Sequence, residues 1–373
     1  MNIAIDIRST LKAQTTGIGY YTLNLIRHLS RIDTQNKYNL YCRRRLLSRK
    51  KILPDLPGAN FRHMVNFLGL PDKWFLRDLD VYHSSSYDIL PQGKVKKVIT
   101  VHDLIPKISQ TTTQNWHPNQ VIKEFDRLIK TVLAEADKII VTSNNTKKDL
   151  LEYYSYDPEK IAVIPMGVDR LFKPAAVEQK DILYKDLKLR YNIPASFLLY
   201  IGTIEPRKNI KCLIKAYNLL KQDKDTVPRL VICGMKGWMY EDVFNLVKNF
   251  NLEQDIIFTG YVPDEDIKIF YKLAQVFIYP SLYEGFGLPL LEAMASGTPV
   301  VTTASGALAE VAGPAARLAD TTRPEPLAKC ISRVLEDSPL AQELIKKGLL
   351  RAKEFTWEKT ADKTLAVYEQ VVG

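Results

Sequence analysis

Two glutamates, Glu284 and Glu292, flank a glycine-rich segment whose residue types suit the binding of a phosphorylated ligand. The segment contains Gly285-Phe286-Gly287-Leu288, and the proline that follows it is typical of a first helical turn. Backbone N–H groups of such a loop at a helix N-terminus form a cradle for an anion. One carboxylate precedes this cradle and the other lies one turn inside the helix, so both could hold hydroxyl groups of the same ligand. Taken singly, either glutamate is more typical of a solvated surface.

A pair of cations, Arg207 and Lys208, follows an apolar run that ends at Gly202 and precedes a helical pattern over residues 210–220. Arginine can hold phosphate oxygens bidentately, and lysine adds a compact charge. Two cations at a helix N-terminus oppose the helix dipole, so we expect a bound anion to relieve this conflict. The alternative interpretation is that both cations are solvated on the surface.

Two features of the N-terminal half also follow apolar runs. His102 and Asp103 come after the run 98–101, and Gly17 and Gly19 lie between the first run and a helical pattern. Glycines in such a loop let backbone amides approach a phosphate. The loop reads GxGxxT and lacks the third glycine of a dinucleotide fingerprint, so a plain turn is the alternative there. For the histidine, the alternative is a structural role.

Acidic strings of the form Asp-x-Asp, at residues 78–80 and 264–266, raise the alternative of a metal-dependent enzyme. The second string follows a proline and opens a helical pattern, where acidic residues stabilise the helix dipole. The four cysteines have no CxxC spacing and no histidine partner at zinc-like spacing. We therefore expect no metal site and no disulfide framework, and a reducing cytoplasm as the location.

The elements that would position these residues alternate along the chain. Short apolar runs at residues 2–7, 38–41, 81–84, 97–101, 138–142 and 161–165 predict one series of buried parallel strands, and runs at 197–202, 229–234, 256–260, 276–280 and 299–302 predict a second. Helical patterns separate them, so the predicted fold class is α/β, with two doubly wound Rossmann-like domains facing across a cleft. Ligands of such sheets bind outside the carboxyl ends of the strands, where the motifs lie.

In this order, and over nearly the whole chain, the motifs resemble those of the retaining glycosyltransferases of family four, which have the GT-B fold. The resemblance implies an acceptor-binding domain at 1–170, a nucleotide-sugar-binding domain at 171–354 and a C-terminal helix at 355–373 that packs back on the first domain. It also implies a nucleoside diphosphate sugar as the donor substrate, with no cofactor. The segment 307–310 departs from the proline-containing turn that is more usual in the family.

The resemblance also assigns roles. Arg207 and Lys208 would bind the diphosphate, Glu292 the ribose and Glu284 the donor sugar, and His102 and Asp103 would contact that sugar from the opposite domain. The expected catalytic residues are therefore Arg207, Lys208, Glu284 and His102. Backbone groups near Gly260-Tyr261-Val262 would recognise the base, with UDP-glucose as the favoured donor and GDP-mannose as the second. The implied acceptor is a glycan or a lipid-linked polysaccharide precursor.

Three other functions share parts of this pattern. An NAD-dependent dehydrogenase would need the full glycine fingerprint and an acidic residue about 20 positions later, which the chain lacks. A phosphorylase that uses pyridoxal phosphate would share the two-domain cleft. A nucleic-acid binder would use the basic N-terminal half but would have no use for the two glutamates and the phosphate loops together.

The net charge of +10 is concentrated in the N-terminal half, because residues 1–170 contain 26 Lys and Arg against 17 Asp and Glu. Residues 43–51 alone contain six cations and two leucines, which suits an anionic membrane surface; a solubility role is the alternative. The chain has no signal-peptide pattern and no apolar run long enough to span a bilayer. We expect a cytoplasmic protein, peripheral at the inner face of the membrane.

Overall fold

The computed structural model of this protein describes residues 1–11, 17–43, 53–66, 71–86, 90, 93–110, 116–224 and 226–373. The chain divides into two units, the first formed by Met1–Gly167 with Thr356–Gly373 and the second by Val168–Phe355. Within the described ranges, each unit contains one sheet, and all neighbouring strands of both sheets are parallel.

The strands are numbered along the chain. Those of the first unit are β1 (Asn2–Asp6), β2 (Lys37–Arg43), β3 (Phe61–Asn66), β4 (Val81–Ser84), β5 (Lys96–Val101), β6 (Lys138–Val141) and β7 (Ile161–Val163). Those of the second unit are β8 (Phe197–Ile201), β9 (Arg229–Cys233), β10 (Ile256–Gly260), β11 (Val276–Tyr279), β12 (Val300–Thr303) and β13 (Ala316–Ala319).

The helices are numbered in the same way. Those of the first unit up to Gly167 are α1 (Gly17–Ile32), α2 (Asp72–Phe75), α3 (Ile105–Ser109), α4 (Asn119–Glu135) and α5 (Asn144–Tyr153). Those of the second unit are α6 (Val177–Tyr191), α7 (Ile210–Asp223), α8 (Glu241–Asn249), α9 (Asp264–Leu273), α10 (Leu288–Ala295), α11 (Leu308–Ala312), α12 (Pro324–Glu336) and α13 (Ser338–Ala352). The last helix, α14 (Trp357–Val372), belongs to the first unit.

The first sheet has the strand order β3-β2-β1-β4-β5-β6-β7 in the described part of the chain. The order reverses between β1 and β4, and a switch point of this kind opens a crevice at the carboxyl ends of the strands. Helix α14 packs into the core of this unit, where Trp357 and Tyr368 share one apolar cluster with Ile3, Ile5 and Leu25. The last residues of the chain therefore help to build the domain that the first residues begin.

The second sheet has the order β10-β9-β8-β11-β12-β13 among the residues described. Its switch point lies between β8 and β11, and its central strands are almost completely buried. These strands carry apolar side chains on both faces because helices cover the sheet on both sides. The two sheets confirm the predicted pair of doubly wound, Rossmann-like domains.

Two strands, β3 and β13, were not predicted from the sequence, and both lie at the edge of a sheet. β3 contains Arg62 and His63 and is mostly half-buried, and β13 exposes Arg317 and Leu318. An edge strand has fewer neighbours to cover it, so its sequence does not form a continuous apolar run. The strand predictions therefore succeeded at the centre of each sheet and missed one edge of each.

None of the helices in the described ranges combines the length and the apolar composition that crossing a bilayer requires. The basic segment 43–51 begins at Arg43, the last residue of β2. Its other residues, 44–51, lie outside the described residues, and the predicted contact with lipid depends on them.

Candidate active site

Arg207 and Lys208 lie where the second sheet reverses its strand order. After β8 the chain passes through a short 3-10 turn, Pro206–Lys208, and then enters α7. The neighbour of β8 across the switch point is β11, which leads to Glu284. Doubly wound sheets usually bind ligands at this edge. The topology therefore brings both cations and the glutamate to the usual ligand site of the fold.

Glu284 is the centre of a buried charge cluster. Its Oε1 accepts hydrogen bonds from Nζ of Lys208 at 2.6 Å and from the hydroxyl of Tyr279 at 3.0 Å. Nη1 of Arg207 lies 2.8 Å from the same oxygen. Lys208 and Glu284 are only 8% and 9% exposed, so these charges are largely removed from solvent. One carboxylate oxygen thus holds both cations.

The ionisation state of the cluster follows from these contacts. Burial by itself would raise the pKa of Glu284, but the charges of Arg207 and Lys208 outweigh it and lower this pKa to about 2. Burial and the neighbouring Arg207 lower the pKa of Lys208, while Glu284 opposes that shift. Glu284 is therefore a carboxylate at neutral pH, able to accept hydrogen bonds but not to donate a proton.

A second carboxylate, Glu205, was missed by the sequence analysis. It is buried, and its Oε1 accepts a hydrogen bond from Nη2 of Arg207 at 2.6 Å. Two carboxylates thus balance two cations within the protein itself. Glu205 and Glu284 therefore offset the positive charge before α7, so the conflict with the helix dipole does not by itself require a bound anion. The sequence does contain one indication of this contact, because Glu205 lies only two residues before Arg207.

The loop after β12 fixes the backbone of Glu284. The amide of Ala307 donates a hydrogen bond to the carbonyl of Glu284 at 2.9 Å. Gly306 has a φ of +59°, and a Cβ at this position would lie 2.5 Å from that carbonyl oxygen. A side chain has no room there, so glycine is required for the loop to approach this closely. The segment 307–310, which departs from the usual family turn, therefore begins with a direct contact to the site.

The glycine-rich segment leads into α10, as the sequence predicts. Gly287, with a φ of +102°, precedes the helix, and a helix N-terminus favours a negatively charged group. Gly285 and Leu288 lie on either side of this turn. The ring of Phe286 is buried and packs edge-on against Phe355, with ring centroids 5.9 Å apart. Its side chain belongs to the core of the second unit, which leaves its backbone for any contact with a ligand.

Glu292 lies one turn inside α10 and is half-buried. The hydroxyl of Tyr271 donates a hydrogen bond to its Oε2 at 3.1 Å. Burial raises the pKa of Glu292 to about 7, and the carboxylates of Asp264 and Asp169 add to this shift. The protonation of Glu292 therefore changes near neutral pH, in contrast to that of Glu284.

Backbone hydrogen bonds connect the C-terminal ends of β8, β9 and β10. The amide of Gly202 donates to the carbonyl of Cys233, and the amide of Gly234 donates to the carbonyl of Gly260, both at 2.9 Å. Val262 is buried, whereas Tyr261 beside it is 55% exposed. A base bound at this edge would thus meet backbone groups and Tyr261 before it met the Val262 side chain.

In the first unit, His102 follows β5 and its imidazole is contacted by two elements. Nε2 lies 3.1 Å from the carbonyl oxygen of Ser85, and the ring of Tyr21 packs edge-to-face against it with centroids 4.8 Å apart. Burial lowers the pKa of His102 to about 4, so the ring is neutral at pH 7. We assign the proton to Nε2 from its carbonyl partner, which makes Nδ1 a hydrogen-bond acceptor.

The other predicted residues of the first unit lie close to His102 in the sequence or on α1. Oδ1 of Asp103 accepts the amide of Ile105 at 3.0 Å, where α3 begins. Gly17 is the exposed first residue of α1, and Gly19 is buried in its first turn. The helix that these glycines open carries Tyr21 to the imidazole. Residues 12–16, which precede it, lie outside the described residues.

Both acidic strings have structural partners. Asp266 is buried and pairs with Arg190 and with the hydroxyl of Tyr191, the latter at 2.6 Å. Oδ2 of Asp80 accepts the amide of Asn2 at 2.7 Å. Across the described ranges, no group of three or more His, Cys, Asp or Glu side chains is arranged to hold a metal ion.

Two family models match the chain. The model for "Glycosyltransferase Family 4" matches residues 15–170, and the model for "Glycosyl transferases group 1" matches residues 188–351. The first match falls on the unit that contains His102, and the second on the unit that contains the charge cluster.

Individual proteins agree with these matches. The O-antigen chain mannosyltransferase B of Escherichia coli is 29% identical over 96% of this chain and 97% of its own length. The serotype-specific mannosyltransferase WbdA of Escherichia coli is 30% identical over 75% of this chain, a region that makes up 34% of WbdA. A sucrose-phosphate synthase from Thermosynechococcus elongatus has a similar structure, with a TM-score of 0.80 at 23% identity over 99% of this chain and 98% of its own. HepE from Anabaena, solved with UDP-glucose, has a TM-score of 0.73 at 16% identity over 99% of this chain and 100% of its own.

Proposed function

This chain belongs to the family 4 type of glycosyltransferases with the GT-B fold, and we propose that it transfers a hexose from a nucleoside diphosphate sugar to a glycan acceptor with retention of configuration. The observation that carries this proposal is the buried cluster of Arg207, Lys208 and Glu284 at the switch point of the second sheet. The cation pair suits a diphosphate, and the carboxylate suits the hydroxyl groups of a sugar.

The two cations would act mainly on the leaving group. As the bond between C1 of the sugar and the diphosphate oxygen breaks, that oxygen takes the electron pair and gains negative charge. Arg207 and Lys208 stabilise this charge more strongly in the transition state than in the bound substrate. The N-terminus of α10, in the same unit, would add a favourable dipole for a negatively charged group. These interactions therefore raise turnover more than affinity.

Retention of configuration is best explained by attack on the front face. The acceptor hydroxyl forms the new bond to C1 on the side from which the diphosphate departs, and its proton passes to a diphosphate oxygen. Glu284 is a poor nucleophile for the alternative double displacement, because Arg207 and Lys208 lower the pKa of its carboxyl group to about 2 despite its burial, which makes the carboxylate a weak base. In this mechanism His102 and Asp103 orient the sugar, with Nδ1 of His102 accepting a sugar hydroxyl.

We propose GDP-mannose as the donor. The relatives from Escherichia coli described above are named mannosyltransferases. UDP-glucose, which the sequence analysis favours, is the competing donor. GDP-mannose takes precedence because the relative that matches nearly the whole chain carries mannosyltransferase in its name.

Thermal shift with nucleoside diphosphates and their sugars tests the donor site. A ligand at about 100 times its Kd stabilises a protein by about 2.7 kcal/mol. We expect GDP and GDP-mannose to raise the melting temperature and GDP-mannose to give a mannosylated product with the donor's anomeric configuration. Stabilisation by UDP but not by GDP would refute GDP-mannose as the donor and favour a UDP-sugar. A product with the opposite anomeric configuration would refute the retaining mechanism. No stabilisation by any nucleoside diphosphate would refute the diphosphate site.

We further propose that the first unit receives a glycan or lipid-linked polysaccharide precursor at an anionic membrane surface. The O-antigen chain transferase among its relatives supports a polysaccharide acceptor. Each Lys or Arg near an anionic bilayer contributes about 1 kcal/mol, and residues 43–51 contain six of them. Binding to phosphatidylglycerol vesicles is expected to fall between about 50 mM and about 500 mM salt. Equal binding to neutral vesicles, or none at low salt, would refute the membrane contact.

A further inference from the structure

Behind His102, a chain of buried polar groups crosses the first unit to its C-terminal helix. The hydroxyl of Tyr368 on α14 lies 2.6 Å from Nδ1 of His83 on β4. Nε2 of His83 lies 2.9 Å from the hydroxyl of Thr100 on β5, and that hydroxyl lies 3.3 Å from the hydroxyl of Tyr21 on α1. The ring of Tyr21 then packs against the imidazole of His102. We refer to Tyr368, His83 and Thr100 as the relay.

All members of the relay, and Tyr21 itself, are fully buried. Burial lowers the pKa of His83 to about 3 and raises that of Tyr21 to about 12, so neither side chain is charged. A neutral imidazole has one donor and one acceptor nitrogen, and the hydroxyls of Tyr368 and Thr100 satisfy both. A buried network in which every polar group has a hydrogen-bond partner fixes the orientation of each side chain more specifically than apolar packing alone does.

The same helix, α1, also reaches His102 from another side. Thr22, the residue after Tyr21, lies 2.6 Å from the hydroxyl of Ser85, measured between the two oxygens. The carbonyl of Ser85 is the partner of Nε2 of His102. The backbone of His102 is held as well, because the hydroxyl of Thr142 donates to its carbonyl at 3.2 Å. Two residues of α1 thus contribute to the orientation of the imidazole, Tyr21 by direct ring packing and Thr22 through Ser85.

We propose that Tyr21 is a positioning residue for His102, and that the relay fixes Tyr21 in the orientation the imidazole needs. The inference rests on the proposed role of His102 at the donor sugar. The last helix of the chain then influences turnover through hydrogen bonds that end at the Tyr21 hydroxyl, and through the packing of the Tyr21 ring against the imidazole of His102. Donor affinity is expected to change less than turnover, because the cations proposed to bind the diphosphate belong to the second unit.

The variant Tyr368→Phe removes one hydroxyl and keeps the ring. We expect kcat to fall about 10-fold with the donor KM within about twofold of wild type, because small misplacements of a reacting group cost rate more than binding. Tyr154→Phe is the matched control: it also loses a buried tyrosine hydrogen bond, to Asp126 at 2.9 Å, but lies outside the relay. An equal fall in kcat for both variants would show general destabilisation and overturn the proposal.

Histidine NMR gives a readout that does not depend on activity. The chain has five histidines, so the ring nitrogens of His102 can be assigned in the folded protein. We expect a neutral ring protonated on Nε2 in wild type, and altered nitrogen shifts of His102 in Tyr368→Phe and in Tyr21→Leu but not in Tyr154→Phe. Unchanged His102 shifts in both Tyr368→Phe and Tyr21→Leu would overturn the proposal.

A double-mutant cycle separates this inference from the proposed function. If Tyr21 acts through His102, adding Tyr21→Leu to His102→Ala lowers kcat no further, whereas additive losses would overturn the positioning role. Full activity of His102→Ala would refute the catalytic role of His102 and, with it, any kinetic effect of positioning that residue. The NMR experiment would still decide whether the relay orients the ring.

Discussion

The variant Glu284→Gln removes one charge from the buried cluster and keeps the size of the side chain. The pKa of this carboxyl is lowered from its usual 4.5 to about 2 in the folded protein. At about 1.4 kcal/mol per pH unit, this shift corresponds to about 3 kcal/mol of stability. Removing one partner of a buried ion pair typically costs a similar amount, about 3–5 kcal/mol. In the variant, Glu205 remains paired with Arg207, whereas Lys208 loses its ion pair with Glu284.

The loss of stability is expected to depend on pH in one direction. Because the pKa of Glu284 is lower in the folded than in the unfolded chain, its stabilisation is fully present above about pH 4.5 and is lost as the pH falls through about 2. At pH 7 we expect the second unit of the variant to melt about 6–12 °C lower than that of wild type. The difference is expected to narrow progressively below about pH 4.5.

Calorimetry of the full chain measures the loss of stability in Glu284→Gln. Adding GDP tests whether this loss comes from the unbalanced charge of the cations. If the diphosphate binds at these cations, as proposed, GDP is expected to raise the melting temperature more for Glu284→Gln than for wild type, where Glu284 competes with it. Glu343→Gln is the control, since it removes an exposed ion pair with Lys347 in the same unit. An exposed pair of this kind contributes about 0.5 kcal/mol or less to stability. Equal melting of Glu284→Gln and wild type at pH 7, or a smaller response to GDP, would refute the reasoning.

Three other outcomes test the remaining parts of the site. Lys208→Ala is expected to lower kcat by about 10²–10³ with a smaller effect on the donor KM, because in the proposed mechanism Lys208 stabilises charge that develops on the leaving group. Unchanged turnover in steady-state kinetics would show that Lys208 has no part in the mechanism. The family resemblance implies that Glu292 binds the ribose. If its ionised form accepts ribose hydroxyls, its pKa of about 7 means that the donor KM is expected to rise as the pH falls through neutrality. Glu292→Gln should show a raised KM without this pH dependence, and a wild-type KM in that variant would contradict the ribose contact. Transfer in excess EDTA is expected to match untreated enzyme, and a loss that magnesium or manganese restores would contradict a metal-independent reaction.

The central strands of both sheets were predictable because burial on two faces leaves continuous apolar runs in the sequence. β3 and β13 were not predictable in this way, since edge strands are partly exposed and their composition is mixed. Short-range signals for turns and helix starts also worked: the glycine-rich segment contains Gly287, which has a positive φ, and the proline after it, Pro289, lies in the first turn of α10. These signals depend on the conformations that single residues allow.

The sequence by itself determined the types of the site residues and their positions after strands, because strand periodicity and motif spacing are local properties of the chain. Only the tertiary structure decided that one oxygen of Glu284 contacts both cations, since Lys208 lies 76 residues away in sequence. It also decided that His83 pairs with Tyr368, 285 residues further along the chain. A hydrogen bond between such distant residues depends on strand order and helix packing, which bring side chains within about 3 Å of each other. No local pattern encodes that distance, so these partners appear only when the whole chain is folded.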